Sequence, residues 1–138
     1  MGMIATERAT DLLAYLRGIR AHGAHVRPST FDCAFYAAGW VQICTGKDLT
    51  AKWRAQYKSF DEGRALLREA GFPDLADLAA AHLTEISGWA QSQVGDIAAM
   101  TEDGHTALGI IGGQQIHVLS LKGLDYVPLG RAIRVFRP

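Results

Sequence analysis

Cys33 is the residue whose type and position best fit covalent chemistry in this sequence. It follows Asp32, a residue type that often caps helices, and it precedes an apolar run that continues to Val41. This pattern predicts a thiol in the first turn of a buried helix, where unpaired N–H groups and the helix dipole favour negative charge. We therefore expect a lowered thiol pKa and a sulfur able to attack a carbonyl carbon. The alternative is a small buried cysteine without chemistry, which is common in protein cores.

Histidines are the candidates for the base that a cysteine nucleophile needs and for the group that orients this base. His105 opens one predicted strand and His117 lies in the next, and a glycine pair at 112–113 predicts a two-residue hairpin between them. The two rings can therefore become neighbours across the ladder. The alternative is that His105 belongs to an exposed turn and that His117 faces solvent. The other three are predicted to lie in a solvated loop or on a partly exposed helix: His22, His25 and His82.

Composition excludes several classes of function. The 138 residues include 14 basic and 14 acidic side chains, so no basic field points to nucleic acid as the main partner. No apolar run approaches the roughly 18 residues of a membrane span. The first residues carry an early acid, Glu7, and no apolar core, so no signal peptide is expected.

The two cysteines are expected to be free thiols. Cys33 and Cys44 lie eleven positions apart on one predicted helix, and such a helix segment spans about 16 Å, too far for a disulfide. Free thiols are consistent with synthesis in a reducing cytosol. No Cys/His spacing is typical of a zinc site, and neither a metal nor an organic cofactor is expected.

The chain is predicted to form one α+β domain over residues 1–138, helical from about 5 to 90 and β from about 94 to 137. Apolar periodicity and caps predict helices from Thr6 or Thr10 to about Arg17, then over residues 33–45, 49–57, 60–71 and 73–83. Short apolar runs between turn residues predict about five strands over residues 97–100, 106–111, 115–121, 126–128 and 132–136. Asp32 is predicted to cap a helix, and Asp96 to be a turn residue.

Several short motifs, in this order, resemble the NlpC-type cell-wall cysteine peptidases, which are papain-like enzymes. They are Phe31-Asp32-Cys33 at a helix start, Gly95-Asp96-Ile97 before a strand, Leu108-Gly109-Ile110-Ile111-Gly112, and Ile116-His117. The chain is most similar to small phage and prophage members encoded among tail genes. These share a Thr-Gly-Lys-Asp as at 45–48, the segment at 53–57, and a Gly-Leu followed by Val-Pro-Leu as at 123–129. The resemblance covers roughly residues 30–130.

The resemblance implies a papain-like NlpC-type fold and a role for three residues. Cys33 matches the nucleophile and His117 matches the third, orienting member. The family's base histidine would stand at Ala107, and His105, two residues earlier, is the candidate to replace it. Two positions along a strand correspond to roughly 6–7 Å, so a bulge or a shifted helix is needed to bring His105 to the sulfur.

The function implied is a cysteine endopeptidase or amidase that cleaves peptidoglycan stem peptides at a phage tail tip. Its partners would be the peptidoglycan peptide and other tail-tip proteins, without membrane insertion, and its location would be the virion after synthesis in the bacterial cytoplasm. Backbone N–H groups at the helix start would hold the oxyanion. One alternative is a catalytically decayed structural component of the tail tip, which Ala107 favours. A further alternative is a toxin or immunity-type module of the same fold.

Overall fold

The computed structural model describes residues 5–23, 26–28 and 31–138, and of Ala5 and Thr6 the backbone alone. His25 lies outside these residues. Four helices are found in the described chain, α1 (Ala5–Ala21), α2 (Cys33–Thr45), α3 (Phe60–Glu69) and α4 (Leu75–His82). Six strands follow, β1 (Thr84–Ile86), β2 (Ile97–Glu102), β3 (His105–Ile111), β4 (Gln115–Ser120), β5 (Gly123–Pro128) and β6 (Arg134–Arg137). The predicted α+β class is confirmed.

All six strands belong to one antiparallel sheet with the order β1-β6-β2-β3-β4-β5. Side chains alternate along each strand, so the sheet has two apolar faces. The face towards the helices carries Ile97, Ala99, Leu108, Ile110, Leu119 and Phe136, which pack with α1, α2 and α4. The other face carries Ala98, Met100, Ile111, Ile116 and Val135.

Two predictions about secondary structure are wrong. The segment 49–57 forms hydrogen-bonded turns rather than a helix, and Ala55 in it has a φ of 60°, a conformation that ends helical hydrogen bonding. The second error concerns β1, which lies inside the part predicted to be helical. It has only three residues, and it exists because it pairs with β6 along the edge of the sheet.

The predicted hairpin between β3 and β4 is present, with its turn displaced by one residue. Ile111 pairs with Ile116, and the Gly112 N–H donates to the Gln115 carbonyl at 2.8 Å. The central turn residues are therefore Gly113 and Gln114, and Gly113 has a φ of 86° that favours glycine. This turn fixes which residues of β4 face each residue of β3.

A buried ion cluster links α1, the start of β2 and β6. Asp96 is fully buried. It accepts hydrogen bonds from Arg137 at 3.0 and 2.9 Å, and Arg8 lies 3.9 Å from it. Asp96 also accepts the Gln93 N–H at 2.8 Å, so the predicted turn residue is in addition the centre of this cluster.

Gly109 should not tolerate a side chain. A Cβ there would lie 2.5 Å from Cγ2 of Ile116 and 2.9 Å from the backbone oxygen of His117, closer than packed atoms approach. Gly109→Ala is expected to lower the free energy of unfolding by about 1–3 kcal/mol through overpacking. Gly18→Ala, in α1 with open space around it, is expected to raise it by about 0.5–1 kcal/mol. Urea denaturation of both variants measures these changes, and equal stability of the two would contradict the packing described.

Candidate active site

Cys33 is the first residue of α2, as predicted. Asp32 adopts an extended backbone conformation, and its Oδ1 accepts the N–H groups of Ala34 at 3.1 Å and Phe35 at 3.0 Å. Gly46 ends the helix in a left-handed conformation with a φ of 79°. The cap and the glycine thus fix where this apolar helix begins and ends, and they place the thiol at its start.

Asp32 also connects α2 to the segment 46–59 and to α3. Its second carboxylate oxygen accepts a short hydrogen bond from the Tyr57 hydroxyl. The Tyr57 ring packs against Gly63 of α3, where an added Cβ would come within 3.0 Å of the ring. A single buried carboxylate therefore holds the helix start, the segment 46–59 and α3 together.

The environment of the Cys33 thiol disfavours the thiolate. Burial raises its pKa to about 11, and the carboxylates of Asp32 and Glu102 act in the same direction. The backbone N–H groups of Leu108 and Ala34 lower the pKa by a smaller amount. The prediction of a lowered pKa is wrong because desolvation outweighs the helix start. In addition, the N–H groups of Ala34 and Phe35 donate to Asp32, which weakens the stabilisation that the helix start can give to a thiolate.

Cys33 borders a cavity of about 410 Å³ between the start of α2, the segment 46–59, α3, α4 and the β2–β3 hairpin. Two histidines also line this cavity, His82 at the end of α4 and His105 at the start of β3. Both are exposed. Its size is in the usual range for small-molecule sites, so the cavity brings a thiol and two imidazole-bearing residues to one concave surface.

His105 and His117 are not neighbours. Because Ile110 pairs with His117, the position opposite His105 would lie five residues further along β4, or about 17 Å away at 3.3 Å per residue. An odd offset also places the two side chains on opposite faces of the sheet. The expected contact between these rings is therefore wrong, because the register of the hairpin separates them.

His117 lies on the helix side of the sheet, away from the cavity. Its ring packs against Gly112, where an added Cβ would be 2.4 Å from Nε2. The thiol, in contrast, lies next to Leu108, four residues from Gly112 and about 13 Å along the strand. Burial, and then the charge of Arg20, lower the pKa of His117. The geometry does not bring it to Cys33.

Ala107, where the resemblance would require the base histidine, also faces away from α2. Ala107 pairs with Met100, which belongs to the apolar cluster on the sheet face opposite the helices. Leu108, next to it, lies on the helix face. Strand alternation places His105 on the same sheet face as Ala107. His105 nevertheless lines the cavity, as the first residue of β3.

Glu102 is a further candidate beside the site, which the sequence motifs do not indicate. It stands directly opposite His105 in the β2–β3 register, and side chains so paired have Cβ atoms about 4.5–5.5 Å apart. Its charge also reaches the Cys33 thiol, whose pKa it raises. In the sequence it is one of three turn residues at 102–104, and only the hairpin register reveals the pairing with a histidine.

The rate of Cys33 alkylation should depend on pH as the raised thiol pKa requires. With a pKa of about 11, the rate of reaction with iodoacetamide is expected to be low at pH 7 and to rise about tenfold per pH unit up to pH 10. Peptide mapping by mass spectrometry separates Cys33 from Cys44, whose pKa burial also raises to about 11. A fast reaction at pH 7 that no longer increases above pH 8 would contradict this electrostatic description.

One known protein family matches nearly the whole chain. Residues 6–138 match the domain of unknown function DUF6950. The chain belongs to the DUF6950 family. No curated protein matches the chain. The family description states no activity, so the chemistry of this DUF6950 domain has to be inferred from its own residues.

The described part of the chain contains neither a membrane-spanning helix nor a cluster of metal ligands. None of its helices combines the length and the apolar character that crossing a membrane requires. Among the same residues, no three His, Cys, Asp or Glu side chains come together as they would around a metal ion.

Proposed function

We propose that the chain is a cysteine hydrolase of the NlpC type, with a papain-like fold, that cleaves amide bonds in peptidoglycan stem peptides. The observation that carries this proposal is the position of Cys33. It is the first residue of a helix that packs on an antiparallel sheet, and it borders a cavity that His105 also lines. A nucleophile and a base on one concave surface are what amide cleavage requires.

Cys33 would act as a neutral thiol that a base deprotonates during attack. At a pKa of about 11, about one thiol in 10⁴ is ionised at pH 7, so attack needs a proton acceptor. In the proposed step Sγ bonds to the carbonyl carbon while His105 takes the thiol proton. His105 then donates this proton to the departing amine, and water hydrolyses the thioester.

Glu102 is proposed to orient His105, the role that the resemblance had implied for His117. It faces His105 across the β2–β3 ladder, whereas His117 packs on Gly112. A carboxylate beside an imidazole fixes its orientation and stabilises the imidazolium formed when the proton is taken. The backbone N–H of Leu108, which faces the thiol, is the proposed oxyanion donor.

The substrate and the setting come from the resemblance. The motifs that carry it lie beside or within strands of this chain, with Gly95-Asp96 directly before β2 and the Leu108–Ile111 stretch within β3. The proposal therefore includes a place at a phage tail tip, with tail-tip proteins and the peptidoglycan peptide as partners.

Peptide release from purified cell walls tests the proposed activity. The wild-type chain is expected to generate new amino groups and soluble peptides, and Cys33→Ala should not. Cys44→Ala is the matched control, because Cys44 is the other free thiol on α2 and lies outside the cavity. Equal release by wild type and Cys33→Ala, or none by either, would refute a Cys33 hydrolase.

A structural component of the tail tip with a decayed active site is the second candidate. It is favoured by the raised thiol pKa and by Ala107, which faces away from α2. Ala107 stands where the NlpC-type peptidases have their base histidine. This candidate predicts that Cys33→Ala and wild-type particles assemble equally well and that neither releases peptides. Particles that assemble with Cys33→Ala but lose the peptide release of wild type would exclude it.

A further inference from the structure

The cavity beside Cys33 has a wall suited to an apolar ligand. Most of it comes from the segment 46–59, α3 and α4, which contribute Leu49, Trp53, Phe60, Leu67, Leu75 and Leu78. Phe60 has 41% of its surface exposed although it belongs to this wall. Apolar surface that is concave and open to solvent gains stability when a ligand covers it.

Among the charged side chains that line the cavity, one arginine has no acidic partner in the described part of the chain. Asp32 is engaged by α2 and Tyr57, and Asp74 accepts the Asp77 N–H at 2.9 Å. Arg64 forms an ion pair with Asp61. Arg68 lines the same cavity and has no ion pair within the ranges that the structure describes. Arg68 is therefore a cation with which an anionic group of a ligand can pair.

Arg68 lies at a distance from the thiol end of the cavity. It follows Gly63 by five residues, or about 7–8 Å along α3, and Gly63 contacts the Tyr57 that is bonded to Asp32. At the thiol, the carboxylates of Asp32 and Glu102 disfavour negative charge. An anionic group is thus favoured near Arg68, with an apolar body extending towards Cys33.

We infer that this cavity binds a linear amphiphilic carboxylate of about eight to twelve carbons, with its carboxylate on Arg68 and its chain along the apolar wall. The volume of about 410 Å³ corresponds to about fourteen groups of the size of a water molecule, at ~30 Å³ each. Binding itself does not require a reactive Cys33.

Calorimetric titration with octanoate, and with octanol as its neutral counterpart, tests this inference. Octanoate is expected to bind one to one and more tightly than octanol. Arg68→Gln should weaken octanoate binding about tenfold and leave octanol binding unchanged. Arg17→Gln is the matched control, since Arg17 is an exposed arginine of α1 outside the cavity, and it should bind octanoate like wild type.

Three results would overturn the inference: no saturable octanoate binding at millimolar concentration, equal affinity for octanoate and octanol, or equal effects of Arg68→Gln and Arg17→Gln. Circular dichroism checks that each variant is folded. Cys33→Ala separates this inference from the proposed function. If it binds octanoate while wild type shows no hydrolysis, only the hydrolase fails; if wild type hydrolyses peptides without binding octanoate, only the ligand inference fails.

Discussion

His105→Gln is expected to lower the turnover of peptide substrates by about 10²–10⁴-fold, the usual contribution of a positioned general base. The reason is that a thiol with a pKa of about 11 cannot supply enough thiolate at neutral pH without a proton acceptor. Glutamine keeps the polarity and approximate size of the side chain but cannot take the proton. Initial rates of peptide release at pH 7 measure the effect.

His82→Gln is the control for this substitution, because His82 is the other histidine on the wall of the same cavity. Its substitution should change turnover by less than about threefold, as expected for a residue without a role in proton transfer. A large loss in His82→Gln with an intact His105→Gln would move the base to His82. Normal turnover in both variants would exclude both cavity histidines as the base.

Asp96→Ala is expected to lower the free energy of unfolding by about 3–5 kcal/mol, because it leaves buried arginine charge without its partner. Asp96 is fully buried, and it receives two hydrogen bonds from Arg137 with Arg8 3.9 Å away. The substitution removes the group that connects α1, the start of β2 and β6. Urea denaturation followed by circular dichroism measures the loss.

Asp61→Ala provides the comparison for an exposed ion pair. Asp61 bonds to Arg64, but its side chain is 92% exposed, so water replaces the interaction and a cost below about 1 kcal/mol is expected. If Asp96→Ala costs no more than Asp61→Ala, the buried cluster does not stabilise the fold as described.

Local sequence patterns predicted the elements that local chemistry determines. Asp32 and Gly46 mark the ends of α2 because a capping carboxylate and a left-handed glycine act on their immediate neighbours. The strands β2, β3 and β4 were located for a similar reason, since short apolar runs between turn residues form half-buried strands whatever their partners.

Features that depend on distant partners could not be predicted in the same way. β1 has no apolar pattern of its own, and it is defined by pairing with β6 and by the contact of Glu85 with Arg134. Asp96 has the pattern of a turn residue, and only the fold brings Arg8 and Arg137 to it. A sequence contains no local sign of either arrangement.

The candidate site was predicted in part. The position of Cys33 at a helix start followed from Asp32, but its pKa depends on burial and on Glu102, which the fold supplies. His105 and His117 do not meet in either register: a turn centred on residues 112–113 would place residue 120 opposite His105, and the observed turn places residue 122 there. Because each strand position alternates between faces, register decides which side chains can meet.

The central claim, that Cys33 is a nucleophile, is tested most directly by trapping the acyl-enzyme. The wild-type chain is incubated with peptidoglycan fragments, quenched in acid and digested, and the peptide that contains Cys33 is examined by mass spectrometry. The proposal predicts a thioester adduct on Cys33 that hydroxylamine removes and that His105→Gln forms more slowly. Absence of an adduct on Cys33 while peptides are being released, or an adduct on Cys44 instead, would contradict it.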